Sequence, residues 1–211
     1  MIQHILFDFD GTLVDSQQLA LSILNQLAEK YQFQKVEVKD IEYLRTLSLA
    51  ERCRRLKLPL YKLPLLALEA RKLYQYAIHE LQPFPGIREL LEALKKQGFH
   101  LAVLSSNSAG NIRAFLLKNQ IDTVGTVYSS AAVFGKDAMI RKYLSAHQLS
   151  RSQILYVGDE QRDIVACRKS GIRVVWVSWG YDAMEIVKQT IPDFIAHTPE
   201  DILSVVQPAH L

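Results

Sequence analysis

The stretch ILFDFDGT, residues 5–12, runs from an apolar segment straight into Asp8, Phe9, Asp10 and Gly11. A short apolar run that stops at a glycine turn reads as a buried strand, here over residues 5–9. Strand alternation puts Asp8 and Asp10 on one side, and Gly11 lets the chain turn at once. Runs of the same kind recur at residues 100–104, 126–128, 154–157 and 173–177, rich in Val, Ile, Leu and aromatics, the composition of strands covered on both faces. Helical patterns lie between them. Residues 86–97 place Ile87, Leu90, Leu91 and Leu94 at helical spacing between Pro85 and Gly98, and residues 111–120, 138–147 and 163–170 follow the same logic. Strand alternating with helix predicts an α/β fold with a parallel sheet.

One long stretch breaks this rhythm. Across residues 16–82 the periodicity is helical throughout, with Leu19, Ile23, Leu27 and Tyr31 on one face and Leu65, Leu66, Leu68, Leu73 and Ile78 suggesting a second long helix. Residues 58–64, with two prolines, read as a turn between helices. The stretch is too long for a crossover, so it is expected to be a small helical domain inserted into a core built from residues 1–15 and 83–211. The chain would return to that core through Pro83, Phe84, Pro85 and Gly86.

Composition narrows the class. The 211 residues are 49% hydrophobic and 22% charged, with a formal net charge of +3, which is ordinary globular usage and lacks the concentrated positive stripe of a nucleic-acid binder. An anionic small molecule is the expected partner, and no nucleic acid. The two cysteines, Cys53 and Cys167, are far apart and support neither a disulfide framework nor a thiolate zinc site. No apolar run is long enough for a membrane helix and no basic-then-apolar leader opens the chain, so a cytoplasmic location without membrane contact is expected. Oligomeric state is left open.

Two carboxylates as close as Asp8 and Asp10 repel each other unless a cation sits between them, and a hard divalent ion such as magnesium suits oxygen ligands. An EF-hand loop is excluded, because its twelfth position falls on Leu19 where a bidentate Glu is needed. A second acidic segment, Gly158-Asp159-Glu160-Gln161-Arg162-Asp163, also follows an apolar strand. Ligands bind at the carboxyl ends of strands in open parallel sheets, so Asp8 and Asp159 share one edge, with Asp163 a helical turn beyond. Ser105, Ser106 and Asn107 follow another strand, and Lys136 stands at a helix start after the next. Acid residues, hydroxyls and an ammonium group at one edge suit a phosphoryl group, which needs a nucleophile, charge neutralisation and donors to oxygen.

These four ordered motifs resemble those of the haloacid dehalogenase superfamily, in particular its phosphoglycolate-phosphatase-like branch, which has a helical cap where residues 16–82 lie. The resemblance implies a Rossmann-like core and a magnesium-dependent phosphatase acting on a small phosphorylated metabolite. It implies nucleophilic attack by Asp8, proton transfer by Asp10, and phosphoryl contacts from Ser105, Ser106, Lys136 and the Thr12 segment, with Thr12 helping to place Asp10. Magnesium would be held by Asp8, the Asp10 main-chain carbonyl and Asp159, with Asp163 acting through water or by orienting neighbours. Arg45 is the expected specificity residue of the cap. The other basic residues around it, Arg52, Arg54, Arg55 and Lys57, read as a solvated face. Glu160 departs from the Thr or Ser of many relatives. A phosphomutase on the same scaffold and a non-catalytic binding protein are the alternatives.

Overall fold

A computed structural model describes residues 1–130 and 135–206; residues 131–134 and 207–211 of the expected core lie outside the described residues. Six strands form one parallel sheet: β1 (His4–Phe7), β2 (His100–Ser105), β3 (Val124–Ser129), β4 (Ile154–Gly158), β5 (Arg173–Val177) and β6 (Phe194–Ala196), in the order β3-β2-β1-β4-β5-β6. The chain moves outward from β1 in one direction and then, through β4, in the other. The strand order therefore reverses beside β1, the place where open α/β sheets form a binding crevice.

Alternation along β1 explains why it is central. Ile5 and Phe7 point into one core layer and Leu6 into the other, all fully buried, and each such side chain contributes roughly 1.5–3 kcal/mol by leaving water. The layer over Ile5 and Phe7 includes residues of α5 (Ile87–Lys96), α6 (Ala109–Lys118) and α10 (Pro199–Val206). The layer over Leu6 is built from α7 (Lys136–Ala146), α8 (Gln161–Ser170) and α9 (Met184–Val187). Neither β6 nor α10 is among the elements expected from sequence; β6 spans three residues at the sheet edge and buries only Ala196 fully, too little for a periodic signal.

Between residues 17 and 80 every regular element is helical, the longest being α1 (Gln17–Tyr31) and α4 (Leu63–Ala77), with the short α2 (Ile41–Arg45) and α3 (Leu49–Arg55) between them. The expected turn at residues 58–64 ends earlier than Pro64, which sits in the first turn of α4, where a missing N–H costs nothing. The points of departure and return lie side by side: Val14 bridges Pro83, Asp15 N–H donates to the Gln82 carbonyl and Phe84 N–H to that of Leu13. The helical stretch also shares its core with the sheet, since Ile23, Leu27, Leu66 and Tyr74 belong to the same buried cluster as Phe7.

Candidate active site

Asp8 is the first residue beyond β1, and its N–H still donates to the Val157 carbonyl of β4 at 2.9 Å. That bond fixes the backbone from which the carboxylate projects. The side chain is 4% exposed; Oδ1 accepts from Phe9 N–H at 2.7 Å, and Oδ2 pairs with the Lys136 ammonium, which also pairs with Asp163. Lys136 opens α7 directly after Gly135 and lies 5.8 Å from the Tyr156 ring centroid. Burial pushes the Asp8 carboxyl up, against the pull of Lys136. Burial acts on Lys136 in the opposite sense, but Asp163 and Asp8 outweigh it and hold the ammonium above its ordinary value.

Asp10 faces a different set of partners. Its Oδ1 accepts from Ser16 Oγ at 2.9 Å and from the Tyr74 hydroxyl at 2.6 Å, and its Oδ2 from Asn107 Nδ2 at 3.0 Å. These donors arrive from the start of the helical stretch, from α4 and from the segment that follows β2. Burial raises the Asp10 carboxyl, while Tyr74, Asn107 and Ser16 oppose the rise. Gly11 makes the intervening turn with φ +76°, and a Cβ there would run into the Asp159 carboxylate. Both the left-handed backbone and the close approach exclude larger residues.

Asp159 follows β4, fully buried. Thr12 Oγ1 donates to its Oδ1 at 2.8 Å and Tyr181 N–H to its Oδ2 at 2.7 Å. Glu160 caps α8, its N–H donating to Asp163 Oδ2 at 3.1 Å, and its carboxylate accepts from Arg162 Nε at 2.6 Å. Carboxylate oxygens of Asp8, Glu160 and Asp163 all lie within 4.8 Å of one another, the one such group of potential metal ligands among the described residues. Burial, reinforced by Glu160, Asp8 and Asp163, drives the Asp159 carboxyl well up. Burial also carries Asp163 to about 6, despite Lys136. Burial acts upward on Glu160 too, but Arg162 and Lys136 overcome it and leave that carboxyl below its usual range.

Five acids, Asp8, Asp10, Asp159, Glu160 and Asp163, thus gather at this edge, where Lys136 pairs with Asp8 and Asp163 and Arg162 with Glu160. Oxygen donors in such excess fit a hard divalent cation, which would offset the burial and the mutual repulsion that raise Asp8, Asp159 and Asp163.

The structure brings Asp8, Asp163, Lys136 and the Asp159 segment to one edge with Ser105, whose Oγ accepts from Asn107 N–H at 3.1 Å. Ser106 is half-buried, and its carbonyl accepts from Arg71 of α4. Three of the expected residues have other partners. The Thr12 hydroxyl donates to Asp159 rather than toward Asp10 or a phosphoryl site, because the Gly11 turn packs that segment against the β4 edge. Arg45 donates to Glu42 within α2 at 3.1 Å and to the Gly180 carbonyl at 3.1 Å, the second bond tying α2 to the loop after β5. Arg52, expected on a solvated face, instead pairs with Asp182 with only 19% of its side chain exposed. Tyr74, Tyr181 and Arg71 were not expected at the site, and Glu160 was expected there without a role. Tyr74 has no sequence signal beyond helical spacing, and only folding brings it to Asp10.

A family model described as haloacid dehalogenase-like hydrolase matches residues 5–177. The chain is 32% identical over 206 residues to a phosphoglycolate phosphatase of Synechococcus elongatus, covering 97% of each chain. It is 24% identical over 211 residues to the pyrophosphatase PpaX of Halalkalibacterium halodurans, again covering 97% of each. Among solved structures, a haloacid dehalogenase-like family hydrolase from Streptococcus pneumoniae superimposes with a TM-score of 0.81 at 26% identity, covering 98% of this chain and 99% of that one.

Proposed function

The chain belongs to the haloacid dehalogenase-like hydrolase family, and on that basis we propose that it is a magnesium-dependent phosphatase that hydrolyses a small phosphate monoester through an aspartyl-phosphate on Asp8. The observation that most supports this reading is the Lys136 ammonium held between Asp8 and Asp163. Its charge opposes the burial that raises Asp8 and so favours the ionised carboxylate that a nucleophile needs, and it offers positive charge where phosphoryl oxygens would come to rest.

In the first step an Asp8 oxygen attacks phosphorus, the bond from phosphorus to the alcohol oxygen breaks, and Asp10 gives its proton to the departing alcohol. In the second, Asp10 takes a proton from water as that water attacks phosphorus; the bond to Asp8 breaks and phosphate leaves. Burial that raises the Asp10 carboxyl favours the protonated form required at the start. Ser105 and Lys136 bind phosphoryl oxygens, and Thr12 acts through Asp159. Magnesium, when bound, supplies charge neutralisation at the phosphoryl group. The residues that would hold it are Asp8, Glu160 and Asp163, whose oxygens cluster, together with Asp159 and the Asp10 carbonyl of the family pattern. Residues 16–82 serve as a cap domain over this edge, a reading supported by the contact of Tyr74 with Asp10.

Phosphoglycolate, the substrate for which the Synechococcus relative is named, is the first ester to assay. Phosphate release from a panel of esters with magnesium should be lost in Asp8→Asn. Equal release by the two proteins would overturn the covalent mechanism, and an isomerised sugar phosphate without phosphate release would replace the hydrolase with a mutase.

A further inference from the structure

A cavity of about 360 Å³ opens beside Asp10, between the helical stretch and the carboxyl edge of the sheet. Its two ends differ in character. Polar groups gather at the sheet end, where Asp10, Ser106 and Asn107 meet Arg71 and Arg162. The remainder is aliphatic: ten of the seventeen lining residues are Leu, Ile or Ala, all contributed by the helical stretch. Ile23 and Leu27 of α1, Leu49 of α3, and Leu63, Leu66 and Ala70 of α4 form most of that wall.

The position of Asp10 gives this asymmetry a chemical meaning. The alcohol oxygen that receives a proton from Asp10 must lie against its carboxyl group. Whatever carbon skeleton is attached to that oxygen therefore extends into the space that Asp10 borders, and that space is walled by leucines. A leaving group ending in a carboxylate fits poorly there. Of the two guanidinium groups at the polar end, Arg162 pairs with Glu160 while Arg71 donates to the carbonyls of Ser106, Asn107 and Ser130, so a carboxylate carried further in, against the aliphatic walls, would be without a partner and costly. The volume points the same way. An apolar cavity of roughly 150 Å³ accommodates a benzene ring, so 360 Å³ exceeds what a two-carbon alcohol fills.

We propose that the preferred substrate is the phosphate monoester of an apolar alcohol, with its hydrocarbon body seated in the leucine-lined cavity and its ester oxygen against Asp10. This rests on the phosphatase reading above and names the substrate class for that same site.

The test compares n-alkyl phosphates from methyl to octyl with phosphoglycolate, measuring phosphate release by the full chain with magnesium. Each methylene that leaves water should raise kcat/KM about three- to fourfold, mainly through KM, until the cavity is full, and phosphoglycolate should fall below butyl phosphate. Ala67→Phe, which fills the cavity from α4 without touching the reacting groups, should raise KM for hexyl phosphate at least tenfold while leaving methyl phosphate turnover in place. A flat chain-length profile, a preference for phosphoglycolate, or equal effects of Ala67→Phe on the short and long esters would overturn the proposal while the phosphatase stands. Absence of phosphate release from every ester would remove the phosphatase reading, and the proposal with it.

Discussion

Replacing Lys136 by Met should cost both stability and activity, and the size of each loss follows from where the ammonium sits. The side chain is 4% exposed and bridges two carboxylates that are themselves 4% and 0% exposed. Met preserves length and apolar bulk, so the change removes little besides the charge. Taking one partner from a buried ion pair costs about 3–5 kcal/mol, because the remaining charge is left without compensation. The two acids would respond by binding protons: Asp163, already at about 6 beside Lys136, would rise further, and Asp8 with it. An acid whose carboxyl lies above its unfolded value favours the fold when protonated and penalises it when ionised. The deficit of Lys136→Met relative to the natural protein should therefore be largest near pH 7.5 and shrink as pH falls toward 5. Protonated Asp8 is no nucleophile, and loss of one preorganised donor to a developing charge lowers kcat by about 10²–10³. Urea unfolding in EDTA at the two pH values, with phosphate release at pH 7.5, reads out both effects. A stability loss below about 1 kcal/mol, a deficit that grows on acidification, or a kcat within fivefold of the natural protein would refute this reasoning.

Tyr74→Phe removes one of three donors to Asp10 and should cost about 1 kcal/mol in stability. Because that donor lowers the Asp10 carboxyl, its loss should move the alkaline limb of the kcat–pH profile upward; a limb that stays put, or moves down, contradicts the role of Asp10 as proton donor. His4, buried at the opposite end of β1, is pushed down from 6.5 to about 4 by burial together with His100 and His147. The neutral ring stabilises the fold fully above about pH 6.5, and that contribution is lost on acidification toward pH 4. Between pH 7.5 and 5 the natural protein should lose about 2 kcal/mol that His4→Leu keeps, and parallel stability curves would exclude the effect. Magnesium should raise the thermal midpoint, by the equivalent of about 2.7 kcal/mol at a hundredfold excess over its Kd. Asp159→Asn should weaken that response, and a midpoint indifferent to magnesium in the natural protein would count against a metal at this edge.

The parts of the fold legible in sequence are those whose signal is local. Buried parallel strands read as continuous apolar runs, so β1, β2, β4 and β5 stand out, and the acids after β1 and β4 are placed at one edge by the rule that ligands meet the carboxyl ends of strands. Lys136 was legible for the same reason. What was not legible depends on packing between distant segments. The Tyr74 hydroxyl reaches Asp10 only because α4 folds back over the sheet, and 64 residues separate the two. Arg52 looks like one member of a basic surface run until Asp182, 130 residues away, accepts its guanidinium. The Tyr181 N–H holds Asp159 and its hydroxyl meets Ser16 at 2.6 Å, contacts that arise only once the loop after β5 folds against the first turn of the chain. The departure at Glu160 was visible, but its pairing with Arg162 and its place beside Asp8 and Asp163 needed three-dimensional geometry.

The covalent step at Asp8 can be examined directly by quenching the protein in acid during turnover of a good ester with magnesium, reducing with borohydride and mapping the peptides. An acyl phosphate on Asp8 is reduced to the homoserine side chain, so the peptide containing residues 5–12 should carry that modification only when ester and magnesium are both present. Reduction at another acid, or none while phosphate is being released, would contradict Asp8 as the nucleophile.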